Sequence, residues 1–180
     1  MKNRFIRSTL RLAPLAAALS FAAIVPLHAQ TAVPKTPIYG VTLDTVAHLD
    51  KTITSLQKLP YRPTVRVVFD PGTTAADYYP ALVKLHQVAY VMGEILDSSE
   101  FPTDLASYKA RTQNFVSGLN GLVDVWEIAN EINGEWLRPH PSGSAATVNA
   151  EEAAIGQMVA AAHSIVKGVG GKTAITLYYN

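Results

Sequence analysis

The sequence contains no cysteine. Disulfides, thiol nucleophiles and cysteine-held zinc are therefore excluded, and stability has to come from an ordinary core. Charge is sparse as well: charged residues make up 16% of the chain and the formal net charge is +1. That removes the electrostatic basis for nucleic-acid binding. Beyond the N-terminus no stretch is apolar enough to span a membrane. Several chemical signatures are also missing. There is no GxSxG to anchor a serine hydrolase, and the histidines show no HExxH or other ligand spacing. Neither a metal nor a cofactor is expected.

What the chain has is apolar residues, 48% of the total, enough for a buried core and too many for disorder. Its 180 residues suit a single domain. The N-terminus stands apart. Lys2, Arg4, Arg7 and Arg11 form a positive segment, an apolar stretch from Leu12 to Val25 follows, and Ala29 offers a small residue for cleavage. This order is that of a secretory signal peptide. The apolar run is shorter than the ~20 residues of a membrane-spanning helix. Residues 1–29 are thus expected to be removed, residues 30–37 to form a proline-containing linker, and the mature protein to be secreted or periplasmic.

From Ile38 onward, strand and helix patterns alternate. Strands are expected at Ile38–Leu43, Thr64–Phe69, Val88–Leu96, Val123–Ala129 and Thr173–Tyr178. Helices are expected at His48–Leu59, at Ala75–His86 with Pro80 marking a kink or division, at Asp104–Leu119 capped by Thr103 or Asp104, and at Glu151–Val169 closed by Gly170-Gly171. Repeated strand–helix alternation signals a parallel α/β sheet. Two architectures compete, the doubly wound open sheet and the (β/α)8 barrel. Both place functional residues at the C-terminal ends of strands. The turns after the first two strands, Leu43-Asp44-Thr45 and Asp70-Pro71-Gly72, lack the glycine-rich form of a nucleotide-binding fold. Gly168 to Thr173 superficially resembles a phosphate loop, but it runs from helix to strand, the wrong way round, and reads as a helix C-cap.

The segment VDVWEIANEINGEW, Val123 to Trp136, carries the chemistry. Alternation puts Val125, Glu127, Ala129 and Glu131 on one face of the strand and Trp126, Ile128 and Asn130 on the other. If the first set points into a barrel, Glu127 lies deep inside and Glu131 at the rim. A buried glutamate needs a cation or donors. Arg66, set between Val65 and Val67, is the expected partner, in a structural ion pair.

Trp126-Glu127-Ile128-Ala129-Asn130-Glu131 resembles the fourth-strand motif of the retaining glycoside hydrolases with a (β/α)8 barrel, the group called clan A. The resemblance implies that Glu131 is the acid/base and that Asn130 hydrogen-bonds the sugar beside the scissile bond. It also implies that Arg66, on the second strand, supports the catalytic centre. A carboxyl that first protonates a leaving oxygen and then activates water suits a partly desolvated strand end. Trp126, Trp136, Tyr178 and Tyr179 offer flat faces to sugar rings, and an oligo- or polysaccharide is the expected partner.

Asp44, Asp70 and Asp97 also lie near strand ends. Asp44 and Asp70 are read as N-caps of the following helices, and Glu94 as either turned inward or held in a structural pair. The segment from Asn133 to Asn149 is expected to shape the cleft. A full barrel takes about 250 residues, so the expectation is the N-terminal part of a barrel. The nucleophile, which the resemblance puts on a seventh strand, would lie outside this chain, and the chain alone would be inactive. The alternatives are a non-catalytic carbohydrate-binding protein on a truncated or decayed barrel and an unrelated α/β enzyme.

Overall fold

The computed structural model describes residues 38–100, 104–136 and 145–179. The expected signal peptide and linker lie outside these residues, as does Thr103. The chain forms β1 (Gly40–Leu43), α1 (Leu49–Leu56), β2 (Thr64–Val68), α2 (Ala75–Leu85), β3 (Tyr90–Glu94) and α3 (Leu105–Leu119). There follow β4 (Val125–Asn130), one π-helical turn (Ile132–Trp136), α4 (Ala145–Gly168) and β5 (Thr173–Thr176). The five strands make one parallel sheet in the order β1-β2-β3-β4-β5.

Among the described strands the order runs one way. A doubly wound sheet reverses its strand order at a switch point, and this sheet never reverses. Right-handed crossovers then carry every helix to the same face. Consecutive helices do pack side by side, α1 on α2, α2 on α3 and α3 on α4. Among the described residues, one face of the sheet is therefore covered by helices and the other is free of them.

The core lies on the helix-covered face. β2 sends Val65, Val67 and the following Phe69 there, β3 sends Val91, and β4 sends Trp126 and Ile128, all buried. The Phe69 ring stacks on Phe115 of α3 with centroids 4.4 Å apart and meets Tyr78 of α2 edge-on at 4.8 Å. Gly93 makes room for it, because a Cβ there would lie 3.0 Å from the Phe69 ring. The buried positions of α2 are Ala75, Tyr78, Leu82 and Leu85, and those of α3 are Tyr108, Thr112, Phe115, Val116 and Leu119. Each set is one stripe of a helix. Fully burying each large apolar side chain contributes about 1.5–3 kcal/mol.

The helix ends correct several expectations. Pro80 does not divide α2, which runs as one helix from Ala75 to Leu85, since proline near a helix start deletes one hydrogen bond while its fixed φ remains helical. Its cap is Thr74 in a reciprocal box with Asp77, and the residue before α1 is His48. Neither Asp44 nor Asp70 is a cap, because four residues separate each from its helix. Asp70 instead accepts the Tyr78 hydroxyl at 2.8 Å. Asp104 does cap α3, accepting the Ser107 N–H at 2.8 Å. α4 starts at Ala145, so Glu151 and Glu152 lie past its first turn. It closes as expected: Gly170 takes φ 76, Gly171 N–H bonds Val166 O and Gly170 N–H bonds Lys167 O, each at 3.0 Å, the Schellman pattern.

The edges of the sheet are apolar. Val41 of β1 and Ile175 of β5, both directed by register to the helix side, are exposed, as are Tyr39 and Leu177 beside them. No helix among the described residues is long and apolar enough to cross a membrane.

Candidate functional site

On the helix-free face, alternation brings Arg66 of β2, Glu94 of β3 and Glu127 of β4 together. Glu94 stands level with Val68 on one side and Glu127 on the other. Arg66 Nε lies 2.5 Å from Glu127 Oε2 and its Nη2 lies 3.2 Å from Oε1, a two-point grip. The same Nη2 is 2.8 Å from Glu94 Oε2. From β5 the Thr176 hydroxyl donates to Glu127 Oε1. Both carboxylate side chains are 0% exposed, whereas the Arg66 side chain keeps 22%.

Two acids thus share one guanidinium out of water. Burial alone would lower the Arg66 pKa, but the hydrogen bond and charge of Glu127, joined by the charge of Glu94, raise it. Glu94 is the strained member. Burial first, and then the charge of Glu127, push it up to about 7, against the opposing pull of Arg66. Neither Glu94 oxygen completes a well-formed hydrogen bond. A buried carboxylate in that position relieves its cost by taking a proton.

The strand then does something alternation does not foresee. A bulge interrupts the pairing of β4 with β5 between Glu127 and Ala129. The carbonyl of Ile128, at the interruption, accepts a hydrogen bond from the Tyr108 hydroxyl of α3. An extra residue shifts the parity of all that follow. Glu127 stands level with Ala174 and Asn130 with Thr176, so Asn130 shares the face of Glu127 instead of opposing it. Its amide comes close enough to Glu94 to favour the charged carboxylate. Asn130 is 6% exposed.

Glu131 follows with φ 51. Among the described residues, only Glu131 and His48 are non-glycine residues with positive φ. The left-handed region costs a side chain of order 1 kcal/mol or more, and such strain concentrates at functional sites. Here the Glu131 N–H donates to Thr176 O at 2.8 Å and its carbonyl accepts from Gly134 N–H at 2.9 Å. The side chain is half-buried, and the π turn starts at the next residue.

The aromatic candidates separate. Trp126 and Trp136 are buried, at 1% and 2% exposure, with Trp136 set edge-on to Tyr108 at 5.8 Å. Their faces belong to the core and are closed to a sugar ring in this structure. Tyr178 and Tyr179 do come together, with rings 4.9 Å apart, and Tyr179 is 86% exposed. Tyr178 sits on Gly134, where a Cβ would come within 2.6 Å of its ring. Asn133 pins the same residue from both sides: its Oδ1 accepts Tyr178 N–H at 2.6 Å and its Nδ2 donates to Tyr178 O at 3.2 Å. Asn133 and Gly134 thus shape the segment that follows Asn130-Glu131. Residues 137–144 of the expected cleft segment lie outside the described residues, and residues 145–149 belong to α4.

Two further residues were not singled out by sequence. Thr176 is one of many threonines, marked by nothing but its place in a strand. Arg111 of α3 donates to Ile95 O at 2.7 Å, Phe69 O at 2.7 Å and Asp70 O at 3.1 Å. It ties together the chain leaving β2 and the chain leaving β3. An arginine on an otherwise apolar helix face was the available signal. Asp97 accepts Ser99 N–H at 2.9 Å and adds negative charge near Glu94. No group of three metal-ligating side chains occurs among the described residues.

Neither a protein-family model nor a curated protein matches this chain.

Proposed function

We propose that the chain is the N-terminal part of a (β/α)8 barrel whose helix-free face is the barrel interior, and that the barrel is a retaining glycoside hydrolase. The barrel reading draws on the unreversed strand order and on apolar side chains left open along both edge strands. In it Glu131 is the acid/base and Asn130 holds the sugar hydroxyl next to the scissile bond. The Arg66–Glu127 pair supports the centre, and Tyr178 and Tyr179 offer faces to sugar rings. The nucleophile comes from a seventh strand outside these 180 residues. The N-terminal 29 residues direct export and are cut away, which N-terminal sequencing of the exported protein checks.

The observation that carries the activity is Glu131 itself: a non-glycine residue held left-handed, just past the end of a bulged strand and before a π turn. In the proposed reaction the Glu131 carboxyl protonates the glycosidic oxygen as the nucleophile forms a glycosyl ester. The resulting carboxylate then takes a proton from the water that releases the sugar.

Glu131→Ala is the test, in a form of the protein carrying all eight strands. Hydrolysis of glycosides with poor leaving groups should fall by about 10²–10⁴-fold. An activated aryl glycoside should still form the covalent intermediate and then stall, and azide, which needs no base, should restore release. Unchanged activity on poor leaving groups would rule out the acid/base assignment.

A further inference from the structure

We propose that Glu94 is a positioning residue for Asn130: as a carboxylate it takes a hydrogen from Asn130 Nδ2, and as a carboxylic acid it gives one to Asn130 Oδ1. Its charge state thereby sets which end of the amide is turned toward the cleft. The proposal rests on the reading above for the identity of what Asn130 meets, and on the structure for the coupling itself.

The geometry leaves Glu94 little else to do. It is completely buried and both its oxygens lack a well-formed hydrogen bond, although Arg66 Nη2 stands 2.8 Å away. Arg66 is already gripped at two points by Glu127, so a second carboxylate adds repulsion where the ion pair was complete. A merely structural role would be served better by an apolar side chain. The bulge brings Asn130 round to this face, beside Glu94. An amide has a donor end and an acceptor end of nearly equal shape, so a neighbour that switches between acceptor and donor reverses it.

The groups that set the charge of Glu94 come from every element around it. Arg66 of β2 and the Asn130 amide favour the anion, while Glu127 of β4 and Asp97 after β3 favour the acid. Tyr108 of α3 also senses the Glu94 charge, but burial keeps its hydroxyl neutral. Burial and the like charge prevail, and Glu94 exchanges its proton at about pH 7. Both states of the amide are then populated under ordinary conditions.

Nuclear magnetic resonance on the isotope-labelled chain tests this directly. The Glu94 carboxyl carbon and the Asn130 side-chain amide would be followed from about pH 5 to about pH 9, a range spanning the neutral midpoint. The Asn130 amide signals should step with the same midpoint as Glu94, and Glu94→Gln should abolish that step. Asn130→Ala removes both bonds, and because the one to the charged carboxylate is the stronger, it should move the Glu94 midpoint upward. An Asn130 amide that stays flat through the Glu94 titration would overturn the proposal. So would a Glu94 midpoint indifferent to Asn130→Ala, a readout that stands even if Glu94→Gln fails to fold. Neither measurement depends on turnover, so failure of the hydrolase reading would show separately, in the Glu131 assay.

Discussion

At the N-terminal end of the sheet, Asp124 is fully buried, accepts the Val91 N–H at 2.8 Å and stands 3.3 Å from His86 Nε2. At the C-terminal end Glu94 is buried as completely, beside an arginine that a second glutamate already holds. The first acid has one oxygen, Oδ1, without a hydrogen bond, but the other does structural work that is easy to name. It joins the start of β4 to β3, and Asp124 N–H returns a bond to Val91 O at 2.8 Å. The second arrangement gathers two carboxylates around one cation and leaves one of them without good donors. A fold that needed only stability would not keep it. The contrast teaches where to look for function in this molecule: at the end of the sheet where charge exceeds what pairing can satisfy.

The comparison breaks first at Glu127. Glu127→Gln removes the better-held of the two acids and should cost about 3–5 kcal/mol, the range for breaking a buried ion pair. Denaturant melts of Glu127→Gln, Arg66→Met and the double variant would measure the coupling. Additive effects would mean that the pair contributes nothing as a pair. With Glu127 neutral, the repulsion on Glu94 also disappears, and the Glu94 midpoint should fall.

Glu94→Gln should act in the opposite sense, and its effect should depend on pH. Glu94 has its ordinary value of 4.5 raised to about 7 in the folded chain. The folded state therefore holds this proton more tightly than the unfolded state. Stability is lost as pH rises from about 4.5 to about 7, with the full penalty present above that window and none below it. At 1.36 kcal/mol per tenfold change in proton affinity, the penalty is on the order of 3 kcal/mol. Glu94→Gln should flatten this slope, so that the variant gains on the parent as pH rises. Melts at acid, neutral and alkaline pH decide; parallel curves would mean that Glu94 does not change charge in this window.

Much of this contrast was legible in the sequence, and the largest part that was not comes from one irregularity. Val65-Arg66-Val67 and Val125-Trp126-Glu127 announced charges inside apolar strands, and alternation put them on one face, where they meet. Helix stripes and the Gly170 closure were equally readable. The bulge was not. Ile128 and Ala129 carry no glycine or proline to mark it, and what accompanies it is a hydroxyl from Tyr108, 20 residues earlier in sequence. Alternation therefore assigned Asn130 to the wrong face and hid its approach to Glu94. Trp136 misled for a related reason, because an aromatic after a strand reads alike whether its turn leads outward or, as here, back into the core. Asp44 and Asp70 looked like caps only while the turn lengths were unknown.

At the other end of the sheet the expected effects are smaller and of another kind. Asp124→Ala leaves the Val91 N–H buried without its acceptor, and should cost about 2 kcal/mol, inside the range for an orphaned buried donor. Asp124→Asn keeps an acceptor in place and should recover most of that loss. If Asn proves as damaging as Ala, the His86 contact and not the backbone bond is what Asp124 supplies. The two ends of the sheet would then be less different than they look.

The smallest effect should come from Tyr108→Phe, and it is the most informative about how the site is held. The Tyr108 hydroxyl is buried, and its partner is the carbonyl of Ile128 at the bulge. Removing one oxygen leaves the ring packed against Trp136 but orphans that carbonyl, at a cost of about 1–2 kcal/mol. The consequence should not stop at stability. The bulge is what turns Asn130 toward Glu94, and a strand freed from Tyr108 can slip back toward regular pairing, which would return Asn130 to the other face. The Glu94 midpoint should then rise, as it should in Asn130→Ala, because the same donor is withdrawn. Melts and the Glu94 titration on one Tyr108→Phe sample separate the possibilities. A loss of stability with an unmoved Glu94 midpoint would show that the bulge is kept by β5 and that Tyr108 merely satisfies it.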